Sequence, residues 1–238
     1  MVKDSLGNRM KENYENRNKY FLLRRMPVII RLDGKSFHSF TKHCETPFDT
    51  LLHTWMCNAT INVLKNIHGV KCAYIQSDEI SILLTDYDNL ETDAWFNNSI
   101  QKICSVSASL MTAYFNWGYN SALQSKYNNL QYKFALFDAR CFNLPKEEVN
   151  NYFIWRQKDW ERNSLQMFAR AHFSHSQLNN KKKADIHEML HKKDKNWADL
   201  DLKWKRGTFI QKKNNFITEY PVFKDTPEII NNLLIPMN

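Results

Sequence analysis

The sequence predicts an α+β fold, an antiparallel sheet with helices on one face followed by a helical C-terminal extension. Three observations carry that prediction. A branched apolar run, Pro27-Val-Ile-Ile-Arg-Leu32, stops at Asp33-Gly34. Two further strand-like runs are separated by Ser77-Asp78-Glu79 alone, and stretches of helical apolar spacing lie on either side of that pair.

Taken in order, residues 27–32 read as a buried strand whose C-terminal end presents a carboxylate. From Phe48 to Ile67, apolar residues at Leu51, Leu52, Trp55, Met56, Ala59, Val63 and Leu64 have the spacing of an amphipathic helix, with Gly69 placed to end it. Lys71 to Gln76 and Ile80 to Thr85 are strands, because the short link between them permits only a hairpin. A second helix is expected from Thr92 or Asp93, both good N-caps, to about Phe115, before Gly118. Its slim middle, Ser105-Val-Ser-Ala-Ser109, lets another element approach closely. Gln131 to Phe142 reads as a strand. Pro145-Lys-Glu-Glu148 opens a long helix with acids in its first turn, where the helix dipole favours them. That helix runs toward Phe173, and a polar loop (174–183), a short helix (186–191) and a strand at Thr208 to Gln211 follow. Strand, helix, hairpin, helix, strand is the order of a ferredoxin-like or polymerase-palm layer. We expect residues 1–142 to form a palm-like catalytic domain, with a helical, basic region at 143–238 packed on it.

The 238 residues are 43% hydrophobic with five glycines and six prolines, too few for long flexible linkers. The five cysteines are scattered and never spaced as CxxC, which argues against a disulfide framework and a cysteine-rich zinc site and fits a cytoplasmic protein. Nothing resembles a secretory signal, and no run of about 18 apolar residues occurs, so no membrane partner is expected. The net charge of +8 suits an anionic partner. Between 181 and 213 lie eleven basic and five acidic residues, six of the net eight charges, with Trp197, Trp204 and Phe209 among them. Such a region is expected to hold RNA phosphates and stack bases, and it equally describes a solvated face over core aromatics.

If the central strands pair, Asp33 comes beside Asp78 and Glu79. Carboxylates so placed repel one another unless a cation neutralises them, and hard oxygen ligands suit Mg²⁺. Two such ions serve phosphoryl or nucleotidyl transfer. Gly34 leaves space beside the metal, and the N–H groups after it, with Lys35 and His38, suit a triphosphate. The residues alone leave the matter open, since Asp-Gly is a common turn pair and Ser-Asp-Glu also fits a solvated hairpin tip. Two rival readings stand beside this one. His187-Glu-Met-Leu-His191 has the HExxH spacing of a zinc metalloprotease, although no histidine follows it. A sheet with a basic flank also describes a non-catalytic RNA-binding module, which would display aromatics on the sheet.

Arg31-Leu-Asp-Gly-Lys-Ser-Phe-His38 and Ala73-Tyr-Ile-Gln-Ser-Asp-Glu79 together resemble the two signature segments of the histidine tRNA guanylyltransferase family. The resemblance extends to Lys102, Phe137-Asp-Ala-Arg140, Trp155-Arg-Gln-Lys-Asp159 and Lys205-Arg-Gly-Thr208. It implies a palm enzyme, assembled as a homotetramer, that adds nucleotides in the 3′-to-5′ direction to the 5′ end of tRNA after ATP or GTP activates the 5′ phosphate. It implies that Asp33, the Gly34 carbonyl and Asp78 bind two magnesium ions, with Asp33, Asp78 and Glu79 serving catalysis. Asp33, Gly34, Lys35, Ser36, Phe37, His38, Ser77, Asp78 and Lys102 would meet the nucleotide. Two departures qualify the match. Where the histidine-tRNA branch carries His-Ile-Asn-Asn-Leu-Tyr-Asn, this chain has Glu161-Arg-Asn-Ser-Leu-Gln-Met167, which points to the branch that repairs tRNA 5′ ends. Thr46 stands where the family commonly places a lysine.

Overall fold

The computed structural model describes residues 5–126 and 133–236. In chain order the elements are α1 (Ser5–Met10), β1 (Val28–Gly34), α2 (Phe37–Phe40), α3 (Thr50–Lys65), β2 (Val70–Gln76), β3 (Glu79–Leu84) and α4 (Ile100–Lys126). Then come β4 (Phe137–Asn143), α5 (Lys146–Arg170), α6 (His175–Leu178), α7 (Lys183–His191), α8 (Leu202–Arg206), β5 (Thr208–Lys212), β6 (Phe216–Glu219) and α9 (Glu228–Asn231). The six strands form one antiparallel sheet in the order β4-β1-β3-β2-β5-β6. The expected palm is present, and residues beyond 142 extend its sheet by two strands. The hairpin β5–β6 had no signal strong enough for its second strand to be expected.

Alternation along the strands sorts the core into two layers. Val28, Ile30, Leu32, Ala73, Ile75, Ile80, Ile82 and Ile210 point toward α3 and α4. Ile29, Cys72, Tyr74, Leu83 and Phe209 point the other way, against Val149, Tyr152 and Phe153 of α5 and Phe223. α3 and α4 therefore lie on one face, as expected, while the opposite face is covered by α5. Phe209 is fully buried in that second layer. It stacks no base, which corrects its placement on a nucleic-acid surface. With both faces covered, the sheet offers no open aromatic platform of the RNA-binding-module kind.

The start of α4 departs most from expectation. Thr92 bonds back to Asn89 in a turn, Phe96, Asn97 and Asn98 take positive φ of 49°, 50° and 60°, and the helix begins only at Ile100. A tertiary strap decides this. Leu22 donates its backbone N–H to the Asn98 carbonyl and Ile100 donates to that of Tyr20, while the Arg24 guanidinium donates to Asp86, Asn97 and the Thr92 carbonyl. At its far end α4 continues through Gly118, because a Cβ there would lie 2.2 Å from the Trp55 ring of α3. That glycine is a packing device and not a helix terminator. The fourth strand starts at Phe137; Gln131 and Tyr132, its expected beginning, lie outside the described residues. The expected loop at 174–183 contains α6, opened by a Ser174–Gln177 capping box.

Gly118→Ala is expected to destabilise the protein by about 1–3 kcal/mol through overpacking against Trp55. Denaturant unfolding of the two proteins checks this, and equal midpoints would refute the close contact.

Candidate active site

Asp33 lies one residue beyond the paired Leu32↔Ile80, so it faces the start of β3, on the same side of the sheet as Arg31 and Ile29. Gln76 and Glu79 close the β2–β3 ladder around a two-residue turn of Ser77 and Asp78. Ser77 has φ of 53°, the left-handed value that the first residue of a primed hairpin turn takes. Asp33, Ser77, Asp78 and Glu79 thereby line one cleft, roofed by Arg156, Asp159, Trp160 and Asn163 of α5.

The acids are treated differently. Glu79 receives a fork from the buried Arg156, with N···O distances of 2.7 and 2.8 Å, and a bond from Gln76 at 3.0 Å. Arg156 also meets Asp159 at 3.0 Å. Asp33 and Asp78 take part in no salt bridge among the described residues. Burial pushes the Asp78 carboxyl up to about 6, and the charge of Asp33 pushes the same way. Burial also raises Glu79, with Arg156 and Arg31 opposing. The cleft thus holds a half-buried carboxyl destabilised by desolvation and by a second acid, with Arg156 already committed to Glu79. By their chemistry these carboxylate oxygens are donors of the kind a hard divalent cation would take.

The remaining expected residues separate. The Phe37 side chain is core, 5.0, 5.9 and 5.5 Å from the rings of Phe40, Phe115 and Phe137, so only its backbone can meet a ligand. Its ring also explains Gly34, where a Cβ would lie 2.3 Å away. Lys35 and Ser36 line a neighbouring groove with Lys133, Phe134 and Leu136, and Ser36 takes φ of 51°. His38 is exposed, 3.1 Å from the Ser39 hydroxyl. Lys102, exposed near the start of α4, carries its ammonium 5.9 Å from the Phe96 ring and does not line the cleft. The roles of Arg156 and Trp160 were not assigned from sequence; the polar run Trp155 to Asp159 on an otherwise amphipathic helix is the signal that marked the place.

A second, more apolar pocket shares Ser77, Trp160 and Met167 with the cleft. Phe48 and Trp204 stack there at 4.9 Å and 10°, and Thr46 and His53 complete it. His53 bonds the Thr208 hydroxyl at 2.8 Å, and burial with nearby Lys203 lowers its pKa to about 4. The HExxH residues lie elsewhere. His187 rests against the Trp197 ring on α7, whose Ile186 and Leu190 are core, and no group of three metal-ligating side chains forms among the described residues.

The model of the tRNAHis guanylyltransferase family matches residues 7–145. The chain is 32% identical over 157 residues to the tRNA(His) guanylyltransferase of Debaryomyces hansenii, covering 65% of this chain and 56% of that protein. A bacterial tRNA(His) guanylyltransferase-like protein in complex with ATP superposes with a TM-score of 0.89 at 42% identity, covering 98% of this chain and all of the other. One in complex with GTP gives 0.80 at 39% identity, covering 97% and 99%.

Two outcomes follow from the charges. Because native Asp78 holds its proton up to about 6 and the unfolded chain releases it near 3.8, the folded state binds more protons between those values, and stability falls as pH rises through that window. Unfolding without divalent ions is expected to show Asp78→Asn more stable than wild type at pH 8, by roughly 2 kcal/mol, and the difference to vanish below pH 4. Arg156→Met strands Glu79 and is expected to cost about 3–5 kcal/mol, read by the same method.

Proposed function

The chain belongs to the tRNAHis guanylyltransferase family, and on that premise we propose that it adds nucleotides in the 3′-to-5′ direction to the 5′ end of tRNA. The observation that carries this reading is the pair Asp33 and Asp78, brought from distant segments into one cleft without a basic partner. These two carboxylates and the Gly34 carbonyl would hold magnesium, which when bound supplies Lewis-acid activation of a phosphate oxygen and an attacking hydroxyl. Glu79 acts through its ion pair with Arg156, fixing the turn that presents Asp78.

The nucleotides are ATP and GTP. The pocket beside the cleft suits their bases, because Phe48 and Trp204 offer an apolar wall and His53 stays neutral at physiological pH. Backbone N–H groups after Gly34, with Lys35, suit the triphosphate. The exposed lysines of the 181–213 segment suit tRNA phosphates at a distance from the chemistry. The run Glu161 to Met167 favours repair of shortened 5′ ends over obligatory addition of a G to histidine tRNA. Scattered free cysteines fit a cytoplasmic setting, and exposed Leu6, Met10 and Tyr14 give an arm that assembly into a homotetramer would cover. No helix among the described residues is long and apolar enough to cross a membrane.

The test incubates the protein with 5′-monophosphorylated tRNA lacking its first nucleotide, labelled GTP, ATP and Mg²⁺. Wild type is expected to label the tRNA, with Asp33→Ala and Asp78→Ala each at least about 100-fold slower. Equal labelling by the variants would reject the site.

A further inference from the structure

The cleft does not end at the carboxylates. Gln166 and Arg170 line both the carboxylate cleft and a neighbouring depression formed with His175, Asn179 and Asn180. On α5 the lining residues Asp159, Asn163, Gln166 and Arg170 recur at helical spacing, so they form one stripe along the helix. At 1.5 Å per residue the stripe from Asp159 to Arg170 is about 16 Å long.

Beyond Asp159, which pairs with Arg156 and Arg162, the stripe and the depression it enters carry unused hydrogen-bonding capacity. Two polar side chains on the packed side of α5 are committed. Gln157 bonds the Arg206 and Pro221 carbonyls and the Phe223 N–H, while Ser164 bonds the Trp204 carbonyl and the Trp197 indole. Asn163, Gln166, Arg170, His175, Asn179 and Asn180 make no side-chain hydrogen bond or ion pair among the described residues. Asn180 is moreover held at φ of 58°, at the turn that walls the far end. Uncommitted amides, an imidazole and a guanidinium along a groove are the groups that read base edges and hold phosphates.

Resting on the functional reading above, we propose that this groove seats the RNA end that leads away from the reacting 5′ phosphate. Arg170 contacts a backbone phosphate there, and Asn163 and Gln166 contact the edges of the terminal bases. The length accommodates about five stacked nucleotides of one strand at 3.4 Å each. The division of labour follows from chemistry, since the apolar pocket on the other side of Trp160 suits a purine and this wing suits a polar, charged strand.

The experiment measures equilibrium binding of 5′-monophosphorylated tRNA lacking its first nucleotide across a series of KCl concentrations. Arg170→Ala is expected to weaken binding about three- to tenfold and to reduce the slope of log K against log[salt] by about one, and Arg170→Lys to restore the slope. Gln166→Ala is expected to weaken binding with the slope unchanged. In steady state the loss falls on KM for tRNA and not on KM for GTP. Thermal melting checks that the variants fold, since Arg170 is exposed and has no partner to lose. Unchanged affinity and slope in Arg170→Ala, or a loss shared equally by GTP, would overturn the groove. A wild type that transfers no nucleotide to tRNA overturns the functional reading instead, and the binding series still decides the groove.

Discussion

Arg156 reaches from α5 across one face of the sheet to Glu79, and the geometry of the cleft hangs on that buried pair. Two charges taken out of water are tolerated because the guanidinium fork matches the carboxylate and a second acid, Asp159, uses its remaining capacity. The pair ties the β2–β3 turn to the helix lying over it. Its second effect is electrostatic. Arg156 is committed to Glu79, while Asp33 and Asp78 share the cleft with no ion-pair partner among the described residues, and the charge of Asp33 adds to burial in raising Asp78.

The helix α5 does two jobs with different sides. Val149, Tyr152 and Phe153 seal the sheet against Tyr74, Phe209 and Phe223, an apolar contact that fixes where the helix lies. The stripe from Arg156 to Arg170 then runs along the cleft. Rigid support for the polar site comes from the buried side of the same helix, so Asn163, Gln166 and Arg170 are not needed to hold it in place. Trp160 marks the divide, lining both the polar wing and the pocket of Phe48 and Trp204.

Several local signals carried the wrong meaning until neighbours were known. Gly118 reads as a helix end, yet it sits inside α4 because Trp55 needs its missing Cβ. Thr92 is a good N-cap residue, but the strap at residues 20–24 holds the following turn in left-handed backbone and delays the helix to Ile100. Phe209 lies among lysines in sequence and under α5 in space, as strand alternation requires. His187 and His191 have the spacing of a zinc pair, and no third ligand joins them among the described residues.

The sequence by itself determined the strand and helix order from residue 27 to about 170, the hairpin at Ser77-Asp78, the carboxylates at the ends of strands, and the resemblance that names the chemistry. These are short-range properties: alternation, turn length and motif spacing are written in consecutive residues. Tertiary structure alone decided that Asp33 and Asp78 share one cleft while Glu79 is claimed by Arg156, that Phe37 is core, and that α5 supplies a roof and a stripe of free polar groups. Those depend on which residues meet across about 45 to 140 positions of chain, and burial, desolvation and pairing exist only once they meet.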